Sequence, residues 1–133
     1  LVFLTGLVES GYKYISQIGS GIAKSFWQVE SATAKDCIDN YLGYRESTFK
    51  KCASAMQRDL TDLTKMSEEE LKELLWHDIS AGIVFCRIKY RRDPKPIPTD
   101  IIEIAKYWKR VYNTDSGAGT IEHFLSMAEK RKD

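Results

Sequence analysis

The sequence predicts a single domain that is all-α, or nearly so. Three observations support this prediction. The chain has 133 residues, a length typical of one compact domain, and 43% of them are hydrophobic, which is enough to form a core. Apolar residues recur at spacings of three and four along several long segments. Finally, no two segments have the alternating pattern of a β-hairpin, and the chain has no internal repeat or low-complexity tract.

The first third of the chain is predicted to contain two helices separated by a loop. Residues 1–9 are mostly apolar and end in a carboxylate, which indicates a buried helix, and Gly11 breaks it. The segment Gly19-Ser20-Gly21 indicates a flexible loop. Ser31 is then expected to cap a helix that runs to about Leu42.

The middle of the chain is predicted to contain two further helices. One covers residues 46–60, and residues 61–65 are expected to be a polar connection. The segment Ser67-Glu68-Glu69-Glu70 is a strong helix start, with a Ser cap and a Glu three residues later. The helix that follows carries apolar residues as far as Cys86 and is expected to be long and central. The proline-rich segment 93–98 ends it.

Two helices are expected in the last third. Thr99 is predicted to cap a helix that extends through Val111. Residues 113–119 are rich in Gly, Ser and Asn and indicate a loop. The chain then closes with an amphipathic helix from Thr120 to about Lys130.

Charge does not favour nucleic-acid or membrane partners. The net charge is only +1, and no apolar run approaches the roughly 20 residues that span a bilayer. The basic stretch Arg87, Lys89, Arg91 and Arg92 is interpreted as the solvated face of a helix. A nucleic-acid-binding helical domain is the weaker alternative, and it predicts binding that falls steeply with salt.

The cysteines and histidines predict no metal, cofactor or disulfide framework. Cys37, Cys52 and Cys86 are odd in number and form no C-x-x-C pair, so buried free thiols are expected, consistent with synthesis in a reducing cytosol. His77 and His123 lack the spacing of metal ligands. Because the chain begins at a Leu inside an apparent helix, we expect further residues to precede it in the natural protein.

Three segments, taken in order, carry the functional information. They are Glu9-Ser10, then residues 23–29 (Ala-Lys-Ser-Phe-Trp-Gln-Val) followed by Thr33-Ala34, then Tyr112-Asn113 followed by Gly117 and Gly119. This order resembles the lytic transglycosylase and goose-type lysozyme superfamily. Its pattern is Glu-Ser, Gly-Ala-x-Gly-Leu-Met-Gln-Ile with a following Thr-Ala, and a late Ala-Tyr-Asn-Ala-Gly-x-Gly. Residues 78–83 are similar to its Asn-Ile-x-x-Gly segment.

The resemblance implies that residues 1–133 form one lysozyme-like domain that cleaves the glycan backbone of bacterial peptidoglycan. It implies that Glu9 is the general acid/base and that Tyr112 hydrogen-bonds it. The remaining residues expected to contact substrate are Ser10, Gln28, Trp27 and Asn113. The alternative role of Asn113 is to help hold its loop. Tyr12 and Phe26 are further candidates for stacking on sugars, although core packing is favoured for Phe26.

The residues themselves fit this chemistry. Cleavage of a glycosidic bond needs an acid that protonates the leaving oxygen and then a base that deprotonates the attacking group. Because Glu9 follows Leu7 and Val8, we expect partial desolvation to raise its pKa, so that it holds a proton near neutrality.

A second carboxylate would decide between two outcomes. A lytic transglycosylase needs only one Glu, since the 6-hydroxyl of the sugar attacks, whereas hydrolysis by inversion needs a second carboxylate about 6.5–9.5 Å away. Glu30 follows Gln28-Val29, where goose-type lysozymes carry an Asp, so it is the candidate base, with Asp36 less favoured. The alternative is that Glu30 is solvated at a helix start, where an acid is stabilising.

The chain departs from the family pattern at four positions and in the spacing of its late glycine loop. Ser25 and Ile22 stand where the family has Gly, Ser31 where it has Pro, and Val111 where it has Ala. The setting implied by the resemblance is a bacteriophage protein, made in the host cytoplasm and acting in the virion or at the cell wall. It is expected to be a virion-associated hydrolase or an endolysin. The alternative is a catalytically degraded, structural or assembly protein of a virion.

Overall fold

The computed structural model describes residues 1–13, 24–114 and 117–130, and within these ranges the chain is mostly helical. The all-α prediction is therefore confirmed. A 3₁₀ turn, Leu42–Tyr44, follows the second helix, and a π-helix, Trp108–Asn113, continues the seventh. The α-helices are α1 (Val2–Ser10), α2 (Ser31–Asn40), α3 (Glu46–Ala55), α4 (Leu60–Lys65), α5 (Glu68–His77), α6 (Ile79–Arg91), α7 (Ile101–Tyr107) and α8 (Ile121–Lys130).

Helix α6 lies at the centre of the fold. It contacts α1, α2, α3, α5 and the π-helix, while α8 packs against α1 and α7. The α6 side chains of Phe85, Cys86, Ile88 and Tyr90 are buried. Tyr90 stacks on Tyr107 and on Tyr112, with ring centroids 5.3 and 5.0 Å apart, and so joins α6 to the C-terminal third of the chain.

The predicted long central helix is wrong, because the chain breaks at Asp78. Helix α5 ends at His77 and α6 begins at Ile79. The Asp78 carboxylate accepts hydrogen bonds from the backbone N–H groups of Ser80 at 2.9 Å and Ala81 at 3.4 Å. These bonds satisfy N–H groups that the first turn of a helix leaves unpaired, so Asp78 starts a new helix instead of continuing the old one.

The predicted start of α5 is confirmed, one other predicted start shifts by a residue, and a predicted connection is helical. Ser67 accepts from the Glu70 N–H at 3.1 Å, and the Glu70 carboxylate accepts from the Ser67 N–H at 3.3 Å, which is a capping box. The predicted polar connection at 61–65 is helical instead, because Asp59 caps α4. Asp100, and not Thr99, caps α7.

Two predicted helices are shorter than expected. Ser31 is the first residue of α2 and not its cap, and α2 ends at Asn40, since the buried Leu42 begins the 3₁₀ turn. Helix α3 ends at Ala55 because the backbone of Gln57 has a positive φ of 53°. The bend after α3 lets α4 pack against it.

The three cysteines are free and buried, as predicted. Burial raises the pKa of the Cys86 thiol to about 12. In the part of the chain that the structure describes, no group of three His, Cys, Asp or Glu side chains is placed to hold a metal ion. No described helix is both long enough and apolar enough to cross a bilayer.

Candidate active site

Glu9 lies in the last turn of α1 and is half-buried. The indole Nε1 of Trp108 donates a hydrogen bond to Glu9 Oε1 at 3.2 Å. Burial raises the pKa of the Glu9 carboxyl above its ordinary value of 4.5, while the Trp108 hydrogen bond and the positive charge of Lys89 act in the opposite direction. Burial has the larger effect, so the predicted direction of the pKa shift is confirmed.

Lys89 is a site residue that the sequence interpretation missed. It is half-buried in α6, and its Nζ donates to the Tyr112 carbonyl oxygen at 2.8 Å and lies 3.9 Å from the centroid of the Tyr112 ring. Burial lowers the pKa of the Lys89 ammonium, whereas the charges of Glu9 and Glu30 raise it. The prediction of a wholly solvated basic stretch is therefore wrong at Lys89, although Arg91 is exposed as expected.

Residues 24–29 form a tight turn that is fastened to α1. The backbones of Lys24 and Val29 exchange two hydrogen bonds, of 2.9 and 2.8 Å, at its base. The Ser10 hydroxyl donates to the Phe26 carbonyl oxygen at 2.6 Å, and the Trp27 Nε1 donates to the Val2 carbonyl oxygen at 2.9 Å. The helix that carries Glu9 and this turn therefore form one unit.

Two residues that were expected to contact substrate, Trp27 and Ser10, instead make contacts within the fold. Trp27 is only 4% exposed and its indole is bonded to α1, so it is not available to stack on a sugar. Ser10 is buried and its hydroxyl holds the turn. Phe26 is half-buried against Tyr12 and Trp27, with ring centroids 5.5 and 6.1 Å away, in agreement with the interpretation as packing.

The turn keeps, at one departure from the family pattern, a backbone conformation that glycine adopts more easily. Ser25, which stands where the family has Gly, has a φ of 69°, a conformation that favours glycine, and Gln28 has a φ of 52°. The side-chain amide of Gln28 donates back to the Ser25 carbonyl oxygen at 2.9 Å. The predicted role of Gln28 in lining a cleft stays a prediction.

Gly82 explains how closely α6 approaches this turn. A Cβ atom at this position would lie 2.8 Å from Cε3 of Trp27 and 2.9 Å from Cβ of Ser25. No larger residue fits without movement of the turn. The glycine of the segment 78–83 therefore has a structural reason in this chain, which is close contact between α6 and the turn next to Glu9.

The π-helix places two aromatic residues in the site. Tyr112 is buried, and its hydroxyl donates to the Trp27 carbonyl oxygen at 2.6 Å. The expectation that Tyr112 hydrogen-bonds Glu9 is therefore wrong, and Trp108 supplies that bond instead. The only signal for Trp108 in the sequence is its position four residues before Tyr112, which puts both rings on the same side of a helix.

Asn113 holds the loop that follows the π-helix. Lys109 Nζ donates to Asn113 Oδ1 at 2.8 Å and to the Gly117 carbonyl oxygen at 2.9 Å. A Cβ atom on Gly119 would lie 2.5 Å from Cη2 of Trp108, so the glycine lets the backbone pass directly over the indole ring. The loop therefore packs against the Trp108 ring and helps to hold it in place. A direct contact of Asn113 with substrate stays a prediction.

The two candidate second carboxylates have different surroundings. Glu30 is exposed directly before α2, and its charge acts on Lys89, as the charge of Glu9 does. Asp36 pairs with Arg92 and accepts a hydrogen bond from Asn40 at 2.6 Å, and both contacts lower its pKa. Asp36 is thus engaged in a surface ion pair, whereas the catalytic role of Glu30 stays a prediction.

Comparison of the chain with protein-family models, curated proteins and solved structures finds no match. The family resemblance therefore depends on the motifs quoted above. Ile22 and Ala23, which belong to the second motif, lie outside the described residues. What the geometry adds is a half-buried carboxyl with an indole donor and a neighbouring ammonium group.

Proposed function

We propose that the chain cleaves the glycan backbone of bacterial peptidoglycan, with Glu9 as the general acid/base. The observation that carries the proposal is the environment of Glu9. Burial raises the pKa of this carboxyl, while one of its oxygens is held by Trp108. Protonation of a leaving glycosidic oxygen requires a carboxyl group with a raised pKa and a fixed orientation.

Trp108 acts as a positioning residue in this mechanism. An indole N–H is a donor only, so it binds Oε1 of Glu9 as an acceptor in either protonation state. The acidic proton is then carried by the other oxygen, Oε2, which passes it to the glycosidic oxygen as the C–O bond breaks. The charge of Lys89 stabilises the carboxylate that remains.

The second half of the reaction has two forms. In a lytic transglycosylase, the 6-hydroxyl of the muramic acid attacks C1 and gives its proton to Glu9, which leaves an anhydro end. In a lysozyme, water attacks C1 and leaves a reducing end, and Glu30 is the candidate base for that water. Only the products distinguish the two forms.

Digestion of purified peptidoglycan tests the proposal. Wild type, Glu9→Gln and the exposed control Glu122→Gln are incubated with sacculi of several wall types, and released muropeptides are identified by mass spectrometry. We expect release by wild type and control, and a loss of at least 100-fold in Glu9→Gln, since positioned acid–base catalysis contributes roughly 10²–10⁴ in rate. Equal release by Glu9→Gln and wild type would contradict the proposal.

The second candidate function is a structural or assembly role in a virion, with a degraded cleft. It is favoured by the internal hydrogen bonds of Ser10, Trp27 and Tyr112, which hold the fold together. Absence of release by wild type from every wall type would support this candidate and exclude the enzyme. For either function we propose a bacteriophage protein, made in the host cytoplasm and then located in the virion or at the cell wall.

A further inference from the structure

A basic depression lies between α2, the end of α6 and the π-helix. Its volume is about 590 Å³, and its lining includes Thr33, Lys89, Arg92, Asp93, Lys95 and Arg110. The lining therefore includes four cationic residues and one acidic residue, on a chain whose net charge is only +1. A concave site of this charge attracts anions more strongly than a flat surface does.

The depression adjoins the acid–base site through Lys89. This residue lines the depression, while its ammonium group interacts with the charges of Glu9 and Glu30. It is also bonded to the carbonyl oxygen of Tyr112 at 2.8 Å. Lys89 is therefore the residue that the depression and the surroundings of Glu9 have in common.

Two arginines of the depression are held in place by acids. Arg110 pairs with Asp93 at 2.6 Å, and Arg92 pairs with Asp36. Each pair involves the Nη1 atom, and a guanidinium group has five N–H donors, so an arginine can keep its ion pair and also bind a ligand. The backbone N–H of Lys95 donates to Asp93 Oδ1 at 3.0 Å, which fixes the loop that carries this lysine.

We propose that this depression binds carboxylate groups of the peptide stems of peptidoglycan. The inference rests on the proposed function and names the part of the substrate that lies beyond the cleaved bond. Each stem is attached to muramic acid, one of the two sugars of the glycan, and carries free carboxylates. Planar, bidentate recognition of carboxylates is the contact that arginine makes best.

The test measures binding, so that it does not require cleavage. The Glu9→Gln variant is mixed with beads that carry stem-bearing glycan strands and with beads that carry glycan strands from which an amidase has removed the stems. The bound fraction is measured by sedimentation of the beads, with intact sacculi as a further sample. We expect clear preference for the stem-bearing material at about 0.05 M salt, and loss of most of this preference at about 0.5 M, because salt screens exposed charges.

Charge-removing variants locate the site. In the Glu9→Gln background, Lys95→Gln combined with Arg110→Gln is expected to weaken binding to intact sacculi by about three- to tenfold, since each exposed ionic contact contributes modestly. The matched control removes two exposed positive charges on α3, Lys50→Gln with Lys51→Gln, and is expected to leave binding unchanged. Because Arg110→Gln leaves Asp93 without its partner, Lys95→Gln alone and Arg110→Lys are measured as well, with circular dichroism to check folding.

Three results would overturn the inference. They are equal binding to intact and stem-free glycan, an equal loss in the α3 control, and binding of duplex DNA as tight as binding of sacculi. Failure of the inference differs from failure of the proposed function. If wild type releases muropeptides without any stem preference, only the inference fails. If Glu9→Gln shows the stem preference but wild type releases nothing, only cleavage fails.

Discussion

Replacement of Glu9 by Gln is expected to abolish cleavage and at the same time to stabilise the fold at pH 7.5. Glutamine has nearly the same shape, and its Oε1 still accepts the Trp108 hydrogen bond. The substitution removes the cost of burying a charge and also removes the attraction to Lys89. Because burial is the larger effect on the Glu9 pKa, we expect a net gain of about 0.5–2 kcal/mol in the free energy of unfolding.

The gain depends on pH in a definite direction. The folded-state pKa of Glu9 is raised, so the stability that its protonated form contributes is fully present below pH 4.5 and is lost as the pH rises through the folded-state pKa. Wild type and Glu9→Gln are therefore expected to be about equally stable at pH 4. The advantage of the variant grows as the pH rises above 4.5 and then levels off.

Urea denaturation of both proteins at pH 4 and pH 7.5 checks this expectation, with thermal unfolding as a second measurement. The gain corresponds to a rise in Tm of about 2–8 °C for a chain of this length. Glu122→Gln, on the exposed face of α8, is expected to change stability by less than about 0.5 kcal/mol at either pH. A variant that is less stable than wild type at pH 7.5 would show that Glu9 is a stabilising structural residue, and the reasoning would be refuted.

Three further predictions follow from single contacts. Trp108→Phe removes the N–H donor, so the pKa of Glu9 is expected to rise further. Titration of the Glu9 carboxyl by ¹³C NMR measures this rise, and an unchanged pKa would exclude the hydrogen bond. Gly82→Ala places a methyl group 2.8 Å from the Trp27 ring and is expected to lower the free energy of unfolding by about 1–3 kcal/mol in urea denaturation. Almost no change in this free energy would show that the turn moves away without cost. Ser67→Ala removes the capping box and is expected to cost about 1 kcal/mol in the same assay, whereas Ser67→Asp is expected to keep most of it.

The sequence predicts helices best where a local signal defines their ends. The capping box at Ser67 involves residues three positions apart, so it is visible without tertiary structure. The break at Asp78 was missed because the apolar spacing of three and four continues through it. Whether an Asp inside a periodic segment caps a new helix depends on the packing of both helices, and this information is not local.

The candidate site was only partly predictable. The order of the motifs and the resemblance they carry point to Glu9, and the apolar residues before it predict its burial, which is a local property. The donor to Glu9 was assigned incorrectly, since Trp108 and Tyr112 lie on the same side of the helix and about a hundred residues from Glu9 in sequence. Choosing between them requires knowing that the Tyr112 hydroxyl is already bonded to the turn.

The buried thiols couple the chemical reactivity of the chain to its conformational stability. Cys37, Cys52 and Cys86 lie on three different helices, and burial raises the pKa of each thiol, so the thiolate that alkylating and oxidising reagents attack is scarce in the folded protein. Cys37 and Cys86 are fully buried, so we expect each of them to react when its own helix separates from the core. Cys86 lies on the central helix α6, so its modification rate measures the opening of the whole domain, and the intact fold protects the chain from oxidative cross-linking.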